Sequence, residues 1–253
     1  MGKAPSSSIP SKLGPPLLPP SPSPTKKTLI LDLDNTLICT KPYLPENNHY
    51  DFQVKYTNEK GMGKTCNVLK RPGVDMLLEK ISKLDFEIVA FTAGSKDYAS
   101  RVLDLIDPNR LISHRLYRDS CKKIGGKYFK DLTDLGRGMD QVVAVDDQPD
   151  VYLFESLPAS GNVFPVSKFM GKNLVQDGQL QGVVQFLEFV AGYFSDTREA
   201  IRQYRAIQKN ERTRKRRQHH AIEENERARK QRRCDAVAVN GRRLFHQLPE
   251  IAS

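Results

Sequence analysis

The chain is 253 residues long and carries 40 Lys and Arg against 30 Asp and Glu, for a formal net charge of +10. This length suits one domain of ordinary size with appended segments. No segment approaches the ~20 apolar residues of a transmembrane helix, so we expect no membrane span. The four cysteines are scattered without a Cys-x-x-Cys pair, which argues against a structural zinc site or a disulfide framework.

Both ends of the chain differ in composition from the middle. Residues 1–24 hold eight of the sixteen prolines and six serines, with no long apolar run. We therefore predict a flexible Pro/Ser-rich leader over residues 1–25, not a signal peptide, which needs a continuous apolar stretch. Between Arg198 and Arg233, 14 basic and 5 acidic residues contribute +9 of the net charge. Residues 1–197 are therefore close to neutral.

Alternating strand and helix patterns fill the region between these ends. Residues 28–31 form a short apolar run typical of a buried strand, and the alternating stretch 50–67 predicts a hairpin that turns at 58–61. The later predicted elements are a helix over 74–84, a strand over 86–91, a helix over 98–106, a small antiparallel insertion over 111–129, a strand over 141–145, an edge strand over 163–166 and a helix over 183–194. This alternation predicts an α/β fold with a Rossmann-like parallel sheet and helices on both faces.

The segment after this domain predicts a separate unit. We assign the folded domain to residues 26–194, a basic helical tail to 195–235 and a flexible C-terminus to 236–253. In the tail, Lys and Arg recur every three or four residues and Gly and Pro are absent from 196–233, which favours a long exposed helix.

Two basic clusters in this tail, at 212–217 and 227–233, are spaced like a bipartite nuclear-import signal. They predict a nuclear location and an import receptor or acidic protein as partner, with a cytoplasmic or mitochondrial location as alternatives. A solvated charged helix without a partner explains the same pattern. Binding to nucleic acid is a further alternative, although the aromatic residues that stack on bases are nearly absent.

Carboxylates follow two of the predicted buried strands. Asp32 and Asp34 come directly after the strand at 28–31, and Asp146 and Asp147 end the strand at 141–145. The carboxyl ends of parallel strands meet at one edge of a sheet, so these four side chains are expected to lie close together. Crowded carboxylates need a cation, and ligands that are all oxygen select Mg²⁺ over zinc. An acidic turn without a ligand is the alternative.

The strand at 86–91 ends in Thr92, followed by Ala93, Gly94 and Ser95. A hydroxyl and free amides at a strand end that enters a helix can bind an anion. The alternative is a helix N-cap formed by Thr92 or Ser95. Lys130 follows two aromatic residues, and on its own it is typical of a solvated surface lysine.

The sequence resembles one family across these motifs. Residues 32–37, Asp-Leu-Asp-Asn-Thr-Leu, match the Asp-x-Asp-x-Thr signature of the haloacid dehalogenase superfamily. The other motifs are similar to its branch of small C-terminal-domain phosphatases, which includes the TFIIF-associating phosphatase and Dullard-type enzymes. The matching stretches are 69–74, 91–94, 117–121, 130–132 and 145–149, in the order of the family.

The resemblance implies a Mg²⁺-dependent protein serine/threonine phosphatase with an aspartyl-phosphate intermediate. Asp32 matches the nucleophile and Asp34 the general acid/base, and Thr92 and Lys130 match the phosphate-binding pair. The metal would be bound by Asp32, the backbone carbonyl of Asp34, and Asp147. Asp146 would lie at the edge of the site and pair with Lys130. The implied substrate is a phosphorylated protein or peptide, with the C-terminal domain of RNA polymerase II among the candidates.

Two departures from the family pattern and two competing functions remain. Asn35 follows the second aspartate, and the downstream pair is Asp-Asp where several relatives have Asp-Asn.

A non-catalytic interaction protein, like the presequence-receptor subunit of the mitochondrial inner-membrane translocase, shares Arg-Pro-Gly and Lys-Asp-Leu stretches. A nucleic-acid-binding adaptor that acts through the basic tail is the other alternative.

Overall fold

A computed structural model of the protein describes residues 15–41, 49–155, 157–172 and 174–245. The strands are, in chain order, β1 Lys27–Leu31, β2 Ile38–Lys41, β3 Phe52–Thr57, β4 Gly63–Lys70, β5 Phe86–Phe91, β6 His114–Leu116, β7 Lys122–Ile124, β8 Lys127–Asp131, β9 Val142–Asp146, β10 Tyr152–Phe154, β11 Leu157–Pro158 and β12 Val163–Pro165. The α-helices are α1 Val74–Ser82, α2 Lys96–Ile106, α3 Gln179–Tyr193 and α4 Thr197–Phe245.

The central sheet has five parallel strands in the order β12-β9-β1-β5-β6. Every residue of β5 and β9 is buried, as expected for strands that are covered on both faces. Strand β12 lies at one edge, where Pro165 removes no hydrogen bond from the interior of the sheet. The predicted α/β class, the parallel sheet and the edge strand are confirmed.

The two faces of the sheet are covered differently. One face forms a buried cluster with the 3₁₀ helix Leu132–Leu135, with β10 and with Leu18. The alternate residues of the same strands, such as Leu29 and Leu31, are equally buried on the other face. Helix α1 contacts β5 and α3. The first face is thus covered in part by short elements, the 3₁₀ helix and β10.

The end of the Pro/Ser-rich segment packs onto the domain, in contrast to the flexible leader predicted over residues 1–25. Leu18 is 3% exposed, and the backbone N of Leu17 donates to the carbonyl of Asp134 at 2.7 Å. Two adjacent leucines supply enough apolar surface to anchor the chain despite the surrounding prolines. The rest of the predicted leader, residues 1–14, lies outside the described residues.

Strands β2, β4 and β3 form a separate antiparallel sheet in that order. The predicted hairpin is confirmed as β3 and β4, and its turn lies at the predicted residues. Gly61 adopts φ +72°, a left-handed conformation that glycine takes without steric cost, and its N donates to the carbonyl of Asn58 at 2.9 Å. Cys39 and Cys66 are buried free thiols in this sheet.

The region predicted as a small antiparallel insertion over 111–129 divides between two sheets. His114–Leu116 is β6, a parallel edge strand of the central sheet, so this part of the prediction is wrong. Strands β7 and β8 do form an antiparallel hairpin. Strand β8 also pairs in parallel with β10, which connects the hairpin to the region after β9. The sequence of β6 is short and polar, so it lacks the apolar run that identifies a buried strand.

A buried ion cluster lies at the amino ends of β1 and β5. Glu87 is 3% exposed and accepts from the Thr28 hydroxyl at 2.9 Å. Arg137 donates from Nε and Nη2 to the two carboxylate oxygens of Glu87, at 2.9 and 2.7 Å, and His114 Nε2 lies 3.2 Å from Oε1. Burial alone would raise the pKa of Glu87, but the hydrogen bonds from Arg137 and Thr28 lower it below its ordinary value. We call these residues the amino-end cluster.

Helix α4 carries most of the net positive charge. It begins at Thr197, whose hydroxyl donates to the carbonyl of Val142 at 2.6 Å, and continues to Phe245, beyond the predicted boundary at 235. The chain divides into two compact units, residues 1–202 and 203–253. Among the described helices, none combines the length and apolar character that crossing a bilayer requires.

Candidate active site

A tight loop after β1 presents the first two aspartates. Asn35 adopts φ +63°, a left-handed conformation that Asn tolerates better than most residues. Its N donates to the carbonyl of Ile38 at 2.7 Å, and its carbonyl accepts from the N of Phe169 at 2.7 Å. The chain therefore reverses directly after Asp34 into β2. The departure at Asn35 is thus compatible with the turn that positions Asp32 and Asp34.

The parallel register brings the second acidic strand end beside the first. Leu31 is opposite Val145, and the N of Asp32 donates to the Val145 carbonyl at 3.1 Å. As a result, carboxylate oxygens of Asp32, Asp146 and Asp147 all lie within 4.8 Å of one another. Three of the four carboxylates that the sequence predicts to lie close together therefore meet here, and Asp34 is not part of this group.

Lys130 is buried among these carboxylates. It is 3% exposed, and its Nζ donates to Asp32 Oδ1 at 2.6 Å and to Asp146 Oδ2 at 2.7 Å. The hydroxyl of Tyr152, its neighbour across β8 and β10, lies 3.4 Å from Nζ. Burial disfavours the charged ammonium, yet the attraction of Asp32 and Asp146 raises the pKa of Lys130 well above its ordinary value. This lysine is therefore a permanent cation of the site and not a solvated surface group.

One lysine does not neutralise the site. Burial raises the pKa of Asp32 to about 7, Lys130 acts to lower it, and the nearby Asp146 raises it further. Burial also raises the pKa of Asp34 and of Asp147. The site therefore carries more carboxylates than its buried cation balances, which favours binding of a further cation.

Asp34 is oriented by a residue that sequence reasoning missed. The hydroxyl of Tyr98 donates to Asp34 Oδ1 at 2.6 Å, and the ring of Tyr98 lies 5.2 Å from the ring of Tyr56. The helical periodicity of α2 marks Tyr98 only as a core residue, and its ring is indeed buried. Its position in the first turn of α2, six residues after Thr92, is the only sequence signal that it could reach the same strand edge.

Thr92 lies at the end of β5 and lines the cleft with Ala93, Gly94 and Ser95. Its Oγ1 accepts from the N of Gly94 at 2.9 Å, so part of its hydrogen bonding is local, as in a turn. Ser95 is the N-cap residue of α2 without a side-chain cap bond. Arg118 Nε donates to the carbonyl of Ala93 at 2.6 Å and so holds the loop between β5 and α2.

A fully buried arginine connects the loop after β1 to the rest of the domain. Arg71 donates to both carboxylate oxygens of Asp177, at 3.1 and 3.0 Å, to the carbonyl of Thr36 at 3.2 Å and to Ser167 Oγ at 3.2 Å. The Thr36 hydroxyl in turn accepts from the N of Asp147 at 3.0 Å and lies 3.3 Å from Asp147 Oδ1. Sequence reasoning assigned no role to Arg71 or Thr36. The ion pair of Arg71 with Asp177 joins residues 106 positions apart, and a contact over that separation leaves no local pattern.

The residues fit a magnesium ion by the chemistry of their donors. Asp146 has both carboxylate oxygens engaged, Oδ2 by Lys130 and Oδ1 by the N of Gln148 at 2.7 Å. Asp32 and Asp147 contribute the other two carboxylates of the cluster. A donor set made of oxygens suits Mg²⁺.

The site opens into a cleft of about 1210 Å³ with two walls. The hairpin of β3 and β4 forms one wall, with Tyr56, Lys60 and Lys64. Residues 127–129 and 148–151 form the second wall. This volume exceeds that of a single phosphorylated amino acid, so the cleft can hold a longer molecule.

Similarity to known proteins agrees with this geometry. The sequence profile of the NLI interacting factor-like phosphatases matches residues 27–198, more than half of the chain. A CTD small phosphatase-like protein 2 from Dictyostelium discoideum is 38% identical over 187 residues, covering 73% of this chain and 31% of that protein. The CTD small phosphatase-like protein from Homo sapiens is 37% identical, with 64% and 55% covered.

Phosphatase PSR1 from Saccharomyces cerevisiae is 34% identical, covering 68% of this chain and 38% of that protein. The chain thus spans about a third to a half of the length of these relatives. The solved structure of Fcp1, an essential RNA polymerase II CTD phosphatase, is 26% identical, covers 72% of this chain and 54% of its own, and has a TM-score of 0.49. From the profile match over residues 27–198, the chain belongs to the NLI interacting factor-like phosphatase family.

Proposed function

We propose that the protein is a Mg²⁺-dependent phosphoserine/phosphothreonine protein phosphatase that acts through an aspartyl-phosphate intermediate. The observation that carries the proposal is the position of Asp32, whose carboxylate lies at the cleft floor 2.6 Å from Lys130 and beside two further carboxylates. The family and the phosphatase names of its relatives support the same reaction class.

In the first displacement, an oxygen of Asp32 attacks the phosphorus, and the bond from phosphorus to the serine or threonine oxygen breaks. Asp34, held by Tyr98, gives its proton to the departing oxygen. Lys130 and Thr92 face the phosphoryl oxygens, where the ammonium offsets their charge. In the second displacement, water attacks the phosphorus and gives a proton to Asp34, which releases phosphate and restores Asp32.

A bound Mg²⁺ would neutralise phosphate and carboxylate charge during these displacements. Asp32, the backbone carbonyl of Asp34, and Asp147 are the proposed ligands. Asp146 is not a proposed ligand, because both of its carboxylate oxygens already accept hydrogen bonds, one from Lys130 and one from the N of Gln148.

The proposed substrate is a phosphorylated protein segment. The open cleft with two walls supports a peptide rather than an enclosed small molecule. The C-terminal domain of RNA polymerase II is one candidate, because relatives are named as CTD phosphatases. Which phosphoprotein is bound would depend on the walls of the cleft.

Hydrolysis of an aryl phosphate by the purified full-length protein tests the proposal. We expect turnover with Mg²⁺, little turnover in EDTA, and none in Asp32→Asn. Asp147→Ala should shift the Mg²⁺ titration to higher concentration. A folded wild-type protein that hydrolyses no more than Asp32→Asn would exclude the phosphatase and favour the non-catalytic interaction protein.

A nuclear location is part of the same proposal, and the basic clusters at 212–217 and 227–233 support it. A fluorescent fusion of the full chain should accumulate in nuclei. Replacing the Lys and Arg residues of both clusters by Ala should abolish this accumulation, and unchanged nuclear signal would contradict the role of the clusters.

A further inference from the structure

The walls of the cleft are unequal in charge. The hairpin wall contributes Lys60 and Lys64, which are exposed. The acidic residue on that wall, Glu59, is already engaged, since its Oε1 accepts from Arg118 Nη1 at 2.6 Å. Within the described parts of the chain, neither hairpin lysine forms an ion pair. The hairpin wall therefore presents two unneutralised positive charges to the cleft.

The second wall, formed by residues 127–129 and 148–151, is closer to neutral. It contributes Lys127 and Asp150, both exposed. Arg118, between the walls, is held by Glu59 and the carbonyl of Ala93, with its guanidinium 5.1 Å from the centre of the Tyr128 ring. A bound molecule would thus meet an excess of positive charge on the hairpin side.

A chain of contacts connects Lys64 to the reacting groups. Lys64 is directly opposite Tyr56 in the antiparallel register, so both side chains are on the same face of the hairpin. The ring of Tyr56 packs against Tyr98, whose hydroxyl binds Asp34. Asp32 and Lys64 line the same cleft, so a peptide whose phosphate lies at Asp32 would extend along a lining that includes Lys64.

We propose that Lys60 and Lys64 form a subsite that selects phosphopeptides with an anionic side chain close to the phosphorylated residue. This inference rests on the phosphatase activity proposed above and adds the class of its substrate. The anionic group is a carboxylate or a second phosphate, because both chemistries pair with ammonium groups. Such pairs at an exposed rim contribute mainly to selectivity and to the rate of association.

Four synthetic phosphoserine peptides of equal length test the subsite on the full-length protein. They carry alanine, glutamate, lysine or a second phosphoserine at two positions on either side of the target. We expect kcat/KM for the glutamate peptide to exceed that of the alanine peptide by roughly fivefold, and the lysine peptide to be the poorest. Comparing kcat/KM for the glutamate peptide and the doubly phosphorylated peptide shows whether the subsite prefers a carboxylate or a second phosphate. Raising the salt concentration should reduce the preference.

The hairpin offers a matched pair of variants. Lys64→Glu reverses a charge inside the cleft, and Lys55→Glu makes the same change on the opposite face of the same hairpin, where Lys55 is exposed and outside the cleft lining. The readout is the ratio of kcat/KM between glutamate and lysine peptides, which does not depend on the fraction of folded enzyme. Lys64→Glu should lower this ratio about tenfold, and Lys55→Glu should leave it near the wild-type value.

Equal turnover of all four peptides by an enzyme that hydrolyses aryl phosphate would overturn the subsite and leave the phosphatase proposal intact. An equal shift of the ratio in both variants would also overturn it, since the effect would then belong to net charge and not to the cleft. Absence of aryl phosphate hydrolysis would instead reject the phosphatase proposal itself.

Discussion

Two buried ion clusters lie at opposite ends of the central strands, and they differ in charge balance. In the amino-end cluster, one carboxylate, that of Glu87, receives hydrogen bonds on both oxygens from Arg137 and Thr28. At the carboxyl ends, the carboxylates of Asp32, Asp146 and Asp147 lie together, and Lys130 donates to the first two. The same sheet thus carries one balanced cluster and one with excess negative charge.

The pKa values reflect this difference. The hydrogen bonds to Glu87 overcome its burial and lower its pKa, whereas burial and neighbouring carboxylates raise the pKa of Asp32 to about 7. We expect the balanced cluster to contribute to stability. We expect the unbalanced cluster to lower stability, in keeping with the cation and phosphate site proposed above. Variants at the two ends should separate these contributions.

The largest effect is expected from Asp32→Asn, which removes the proposed nucleophile. Turnover of an aryl phosphate should fall roughly a thousandfold or more. The free energy of unfolding should stay equal or increase, because the substitution removes one crowded carboxylate while the amide oxygen can still accept from Lys130. Steady-state kinetics and urea denaturation in EDTA measure the two quantities. A strong loss of stability would show that Asp32 is mainly structural.

Removing the cation of each cluster compares the two ends directly. Lys130→Met and Arg137→Met each leave a buried carboxylate without its charged partner, so each should lower the free energy of unfolding by about 3–5 kcal/mol. Only Lys130→Met should lose turnover under conditions where both variants are folded. Loss of turnover in folded Arg137→Met would mean that the two clusters are coupled and not separate.

A smaller effect is expected from Tyr98→Phe, which deletes the hydrogen bond to Asp34 and keeps the ring. Turnover of a phosphoserine peptide should fall about tenfold, because a serine oxygen needs the proton that Asp34 provides. Turnover of an aryl phosphate should fall less, since its leaving group departs more easily. Tyr117→Phe, outside the cleft lining, is the matched control. Equal losses on both substrates would argue against a role in positioning Asp34.

The smallest effect concerns acid stability at the amino-end cluster. Glu87 has a lowered pKa in the folded state, so it contributes stability above its ordinary value of 4.5 and loses that contribution as the pH falls below it. The charged groups that face it are Arg137 and His114. Glu87→Gln should reduce the dependence of the urea midpoint on pH below 4.5. An unchanged dependence would assign acid unfolding to other groups.

Patterns that are local in sequence predicted much of the fold and of the site. The runs before Asp32 and Asp146 identify parallel strands, and parallel strands place their carboxylates together. Arg71 and Tyr98 could not be assigned in this way, because their partners lie 106 and 64 positions away and depend on packing. Strand β6 was missed for a related reason, since its polar residues fit an edge strand only once β5 is in place.

The position of β1 at the centre of the sheet also governs the order in which the protein can fold during synthesis. Its first neighbour, β5, follows within about 60 residues, but its second, β9, is made about 110 residues after β1. At a translation rate of about 5–20 residues per second, one edge of this apolar strand waits roughly 6–20 s for its partner. Asp32 is therefore among the first parts of the site to be synthesised, and it meets its companion carboxylates only when most of the domain has left the ribosome.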